Sequence, residues 1–332
     1  MSPRPRSASG RIREYFGLAD LGESAVERKL TELKRRKTVR RLWTAVAAVA
    51  LAILLDFSLD RAEFSLGMLV QYFPEFVRAL GDYFPPTTYY GIPFVDVRQY
   101  WAFILAEDLF HQSVVTVSIA FAGTVIGLPG ALLLGVLASE RVVPYPFNFV
   151  FRLTMSTIRS IPALVWALIF IPLGGVSPFT GTLAIIVDTT GYLGRLFTDE
   201  LEEIETGPIE GVRSTGANKS QTITFGMLSQ VFRQFIAWIA FVLEHNVRVA
   251  ITLGLIGAGG LGLVLDTQRR TFNYTEMMAC IIVIVLLSGT VELLSQRLRS
   301  YLRDDEKGEA DSRGFLRILV ETPRKIAESA LK

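Results

Sequence analysis

Cysteine is nearly absent. Cys280 stands alone in 332 residues, which removes any intrachain disulfide framework and makes thiol chemistry a poor basis for function. Histidine is almost as scarce, and His111 and His245 cannot by themselves build a metal centre. A net charge of +2 falls far short of the concentrated basic face that nucleic acid requires. Short catalytic motifs are missing too: there is no Gly-x-x-x-x-Gly-Lys phosphate loop, no Gly-x-Ser-x-Gly elbow and no His-Glu-x-x-His helix. No internal repeat is visible, which argues against an ion-driven secondary transporter. An intramembrane enzyme acting on lipid could draw acid and base from Asp188, Glu244 and His245, but no nucleophile accompanies them.

What is present is apolar length. Half of the residues are apolar and the mean hydropathy is +0.38, with charges crowded at the termini and between apolar runs. A hydrocarbon core about 30 Å thick takes roughly 20 apolar residues in helix. That measure predicts an all-α membrane protein with about six spans, near 41–59, 113–138, 152–174, 179–197, 235–256 and 275–297. Pro162, Pro172 and Gly191 interrupt the third and fourth, as a bundle permits when neighbours satisfy the freed backbone groups.

Orientation follows from lysine and arginine. Lys34, Arg35, Arg36, Lys37, Arg40 and Arg41 precede the first span, and Arg297, Arg299, Arg303 and Lys307 follow the last, whereas residues 60–108 carry more acids than bases. Both termini are therefore expected in the cytoplasm. The expected organisation is a cytoplasmic arm over 1–40, the first span and an extracytoplasmic segment over 41–110, a core over 111–303 and a cytoplasmic tail over 304–332. The polar leader is too long for a cleavable signal peptide. Ser24 with Glu27 makes a capping-box pattern, followed by Val26, Leu30 and Leu33 on one face; a surface helix and a docking helix both fit. Met68, Leu69, Tyr72, Phe73, Phe76, Val77 and Leu80 are spaced for a helix lying in the interface, and Tyr83, Phe84, Tyr89, Tyr90, Tyr100 and Trp101 suit a headgroup belt.

On the predicted cytoplasmic side, near residues 205–230, lies Glu210-Gly211-Val212-Arg213-Ser214-Thr215-Gly216-Ala217. Pro208 fits a first helical turn, Gly216 an end, and Asn218 with Gln221 a second cap. The segment resembles the coupling loop of ABC-importer permeases: Glu210, Gly216 and Leu228 match in register, while Gly211 and Val212 replace its small pair, Gly226 its isoleucine and Ser229 its proline. The run from Arg159-Ser160-Ile161-Pro162 through Phe170, Gly191-Tyr192-Leu193-Gly194-Arg195-Leu196-Phe197, Glu244-x-Asn246-Val247-Arg248 and the run Gly254–Gly262 are similar to the phosphonate and phosphate branch of that family. The likeness covers roughly residues 110–303.

The resemblance implies a type I importer permease in the plasma membrane, working as a homodimer. It implies a separate cytoplasmic ATPase dimer that carries the ATP and magnesium, an extracytoplasmic binding protein, and a phosphonate, phosphate or related oxyanion as cargo; sulfonate and methionine permeases share the scaffold. No cofactor on this chain itself is expected. Arg159, Asp188, Glu244, Asn246 and Arg248 are the candidate pathway residues, because charge inside a bilayer faces a partner or a water-filled path. Glu244 and Arg248, four apart, either neutralise one another or offer arginines from two subunits to an oxyanion. Arg159 either joins that site or snorkels to the interface, and Asp188 either joins it or pairs with Arg195. The run Gly257-Ala258-Gly259-Gly260-Leu261-Gly262 satisfies a dinucleotide pattern by letters but follows a span rather than a strand, so Gly257, Gly259 and Gly260 are read as a flexible outer end or gate.

Overall fold

The computed structural model describes residues 23–304, with side chains over 32–302. The ends of the chain and the side chains of the Ser24–Glu27 cap lie outside what it describes. The chain divides into two compact units, Met1–Val77 and Arg78–Lys332.

In the first unit, α1 (Glu23–Arg61) is a single helix of 39 residues. The predicted span is the apolar end of this helix, which begins well ahead of it and carries the basic cluster on continuous backbone. Its side chains from 32 to 61 are all exposed, Trp43, Leu51 and Phe57 among them, as suits a helix whose apolar residues meet lipid. α2 (Leu66–Tyr83), which begins in this unit and ends in the second, forms where the interfacial spacing predicts a helix.

In the second unit, β1 (Pro86–Tyr89) and β2 (Ile92–Val95) make an antiparallel hairpin. Tyr90 and Gly91 both take positive φ, the requirement of a tight two-residue turn that suits strand twist. The helices that follow are α3 (Val97–Ala106), α4 (Leu109–Ala138), α5 (Phe147–Ser160), α6 (Ala163–Gly174), α7 (Pro178–Glu203) and α8 (Thr206–Ser214). Then come α9 (Lys219–Ala258), with π-type turns over Thr222–Leu228 and Gly254–Ala258, α10 (Gly260–Arg270) and α11 (Tyr274–Asp304).

Among the described residues, four helices are long and apolar enough to cross a membrane: the apolar part of α1, α4, α9 and α11. The third predicted span requires correction. It is no single rod but the pair α5 and α6, bent by 89°. Pro162 lacks a donor and drives Ile161 to extended backbone (φ −102°, ψ 116°); the Ile161 amide and the Trp166 indole both donate to the carbonyl of Ile158, each at 3.3 Å. The fourth, α7, is 26 residues long but too polar to be counted as a span by composition. Its polarity is affordable because α7 is packed inside the bundle.

That packing is close. Gly123, Gly127, Ala131 and Gly135 recur every four residues along one face of α4. A Cβ at Gly127 would lie 2.9 Å from the Ile186 carbonyl, and one at Gly135 would lie 2.8 Å from that of Gly194. The backbones of α4 and α7 therefore nearly touch. Thr190 and Thr198 donate across the seam to the carbonyls of Gly127 and Gly135, at 3.3 and 3.1 Å. Three apolar clusters follow the bundle. One gathers Leu193, Phe197, Ile209 and Met227, a second Ile119, Ile185, Val247 and Leu253, and a third Ile104, Leu109, Leu261 and Cys280.

Candidate translocation path and coupling elbow

Glu244 is the charged group at the centre. On α9 it is almost wholly buried, its side chain 6% exposed. Arg248, one turn on, donates to its Oε1 at 2.8 Å, so the pair expected from the spacing forms. A second guanidinium, Arg299 of α11, donates to Oε2 at 3.0 Å and rests over the Phe241 ring at 5.4 Å. Ser295, one turn before Arg299, fastens the same helix to the Ala240 carbonyl at 3.1 Å. Two cations thus meet one anion, leaving an excess positive charge. Arg299 stays mostly covered, while Arg248 is 46% exposed and presents the guanidinium at the surface of the bundle.

Asn246 sits differently. It is fully buried, and its Nδ2 donates at 2.8 Å to Thr124 on α4 and at 2.8 Å to Thr189 on α7. In this conformation it ties three helices together and lines no surface. Arg159, Asp188 and His245 converge from α5, α7 and α9. The Arg159 guanidinium lies 5.6 Å from the Tyr192 ring, that ring stacks on His245 at 5.8 Å, and Asp188 lies one turn before Tyr192 on α7. The alternative of an Asp188–Arg195 pair is overturned: Arg195 binds Asp199 at 2.9 Å. Asp199 is one turn away on the same face, whereas Asp188 is two turns away.

The glycines beyond α9 form a hard turn. Gly257, Gly259 and Gly260 have φ of +98°, +91° and +67°, the left-handed region that L side chains avoid. The turn folds α10 back on α9 so tightly that a Cβ at Gly262 would lie 2.0 Å from the Ile251 carbonyl. Thr116 of α4 accepts from the Leu261 amide at 3.0 Å, satisfying one orphan donor of the new helix. On α10, nearly buried Asp266 accepts from Arg269 and Arg270, each at 2.6 Å, and these hydrogen bonds, Arg269's first, hold its carboxyl below the usual range.

The elbow follows its sequence closely. α8 ends at Ser214, and Gly216 turns the chain at φ +82°. Asn218 accepts from the Gln221 amide while the Gln221 side chain accepts from the Asn218 amide, both at 2.9 Å. Glu210, Gly211 and Gly216 are exposed and Ala217 is half-buried. Leu228, by contrast, packs against the cluster of Ile209 and Met227, anchoring the elbow to the bundle.

Arg299, Tyr192 and His245 were not singled out for the path by sequence. Arg299 counts only toward orientation there, because nothing local reveals a partner 55 positions away; its spacing from Ser295 on one face was the available signal. Among the described residues no cluster of His, Cys, Asp and Glu could hold a metal.

Comparison with known proteins agrees with this architecture. The chain is 34% identical over 199 residues to a phosphate-import permease of Mycolicibacterium smegmatis, covering 60% of this chain and 37% of that one. It thus spans little more than a third of that relative's length. It is 30% identical over 189 residues to a phosphite transport permease of Stutzerimonas stutzeri, covering 57% of this chain and 69% of that one. The fold is shared with a chain of an inward-facing MetNI methionine ABC transporter, with a TM-score of 0.52 and 23% identity, over 60% of this chain and 96% of that one. Residues 131–304 match the model of the binding-protein-dependent transport system inner membrane component, and the chain belongs to that family of multi-pass membrane proteins.

Proposed function

We propose that this chain is the permease of an ATP-driven importer for phosphonate, phosphate or a related oxyanion such as phosphite. A second copy completes the path, and a separate ATPase grips the elbow from Glu210 to Ala217 and supplies the ATP and magnesium. An extracytoplasmic binding protein delivers the cargo. The observation that carries the reading is the excess positive charge at Glu244, where Arg299 neutralises the carboxylate and Arg248 reaches the surface. A guanidinium's planar donors match phosphoryl oxygens. The nearby carboxylate keeps the attraction weak enough for release, as a path requires and a storage site does not. Arg159, beside Tyr192 and His245, is a second cationic position along the same route. Gly257, Gly259 and Gly260 close its outer end. Closure of the ATPase dimer moves the elbow, and the elbow moves the spans.

The test is reconstitution of the permease with its ATPase and binding protein in proteoliposomes. ATP-dependent uptake of methylphosphonate, inhibited by phosphate or phosphite and indifferent to methionine and methanesulfonate, is expected. Arg248→Ala should abolish uptake with the complex still assembled. Normal transport by that variant removes Arg248 from the path, and uptake of methionine instead replaces the oxyanion reading.

A further inference from the structure

One cluster of charges takes no part in the path or the elbow. It lies where α4 and α7 end and α5 begins, with two residues, Ile204 and Glu205, between α7 and the start of α8. Arg152 of α5 is its hub. Its Nε donates to the Ala138 carbonyl at 3.0 Å, its Nη2 donates to the carboxylate of Glu202, and it lies 3.6 Å from Glu140. Glu202 is bound again from the other side. Its backbone carbonyl accepts from Arg141 at 2.7 Å, and its carboxylate accepts from the Glu140 amide at 3.3 Å. The side chains of Arg152 and Glu202 are only 24% and 30% exposed. Beneath them Val142, Ile204 and Ile209 belong to one buried apolar cluster, so the first helix of the elbow rests on the same foundation.

Capping accounts for part of this. Arginines near helix C-termini satisfy orphan carbonyls and complement the dipole. It does not account for one guanidinium holding the ends of two helices while sitting on a third. Ser139 and Asn148 lie inside the cluster, fully buried or nearly so, and Ser139 Oγ and Asn148 Oδ1 have no hydrogen-bond partner among the described residues. Buried polar atoms are seldom left so.

We propose that Arg152 and Glu202 form a transmission joint, which passes motion of the elbow to α4 and α5 as well as to α7. This rests on the importer reading above. A displaced α8 pulls through Ile204 and Glu205 on Glu202, and Glu202 through Arg152 on α5, the helix that carries Arg159 at its far end. Arg152 is a positioning residue and touches no cargo.

The experiment compares uptake per ATP hydrolysed in the reconstituted complex, with methylphosphonate as probe, for the parent, Arg152→Met, Arg152→Lys and Glu202→Gln. Arg152→Met should keep most of its binding-protein-stimulated hydrolysis while uptake per ATP falls about fivefold to tenfold, the range for one member of a coupling network. Arg152→Lys should restore much of the ratio, and Glu202→Gln should show a smaller loss of the same kind. An unchanged ratio in Arg152→Met overturns the joint. Should that variant fail to assemble, an unchanged ratio in Glu202→Gln overturns it instead. A parent complex without ATP-driven uptake would instead sink the importer reading, so the two failures are told apart.

Discussion

Among the described turns made by glycine in the left-handed region, those at Gly216 and at Gly257–Gly260 have opposite surroundings. At Gly216 an added Cβ would meet nothing within 4 Å. At Gly257 it would lie 2.3 Å from Val176 Cγ1, and at Gly260 2.3 Å from Thr116 Oγ1. The first turn is capped locally, and its Gly216 surface is left open while Ile209 and Leu228 anchor the flanking helices. The second is jammed against α4 and α6–α7 segments of its own chain. A turn packed against its own chain serves the fold, whereas the exposed surface at Gly216 is the one on which the proposed ATPase would dock. The contrast separates a turn completed by its own chain from one that the importer reading assigns to a cytoplasmic partner.

The contrast breaks most readily at the outer turn. Gly260→Val combines a forbidden φ with a collision at the hydroxyl that accepts from Leu261, and should cost about 3 kcal/mol or more of stability. The denaturation midpoint of the purified variant checks this. A midpoint close to the parent's would mean that the turn yields, as a flexible gate would, and is not the packed stop described above.

Gly216→Val is the sharper comparison. It meets no collision, so only the backbone strain remains, about 1–2 kcal/mol. The fold should survive, while binding-protein-stimulated ATP hydrolysis in the reconstituted complex falls severalfold because the partner's approach is obstructed. Unchanged hydrolysis would show that the open surface at Gly216 is not where the ATPase docks.

These two turns also show how far the sequence could be read. The elbow was legible to the residue, from Gly216 through the Asn218–Gln221 cap, because every contact that makes it lies within a few positions. The outer turn was legible as glycine but not as a packed turn, since Val176 and Thr116 are remote in sequence. The Glu244–Arg248 pair followed from helical spacing, and Arg299 did not. Buried Asn246 was placed among the pathway residues because polarity inside a span is visible in sequence, whereas the hydroxyls of Thr124 and Thr189 that occupy it are not. The bend at Pro162 was foreshadowed by an interruption, but only packing against α7 fixes its angle. α1, read as an arm and a span, is one helix because nothing between its basic and apolar stretches breaks it.

The smallest expected effect tests what holds the end of the bundle that carries the second turn. Asp266 accepts from Arg269 and Arg270 in a clasp at the end of α10, and its carboxyl is held below the usual range by those hydrogen bonds. A carboxylate whose folded value is depressed contributes its stability in full above the unfolded value, about 3.9, and loses it as pH falls through the lower folded value. Asp266→Asn should therefore lower the unfolding midpoint at pH 7, and the gap between parent and variant should narrow only in acid below the ordinary carboxylate range. Both arginines are more than half exposed, so solvent screening limits the loss to about 1 kcal/mol or less. If the loss at pH 7 instead matched that of Gly260→Val, that end would be held by charge rather than by close backbone packing. Its difference from the elbow would then be one of electrostatics, not of sterics.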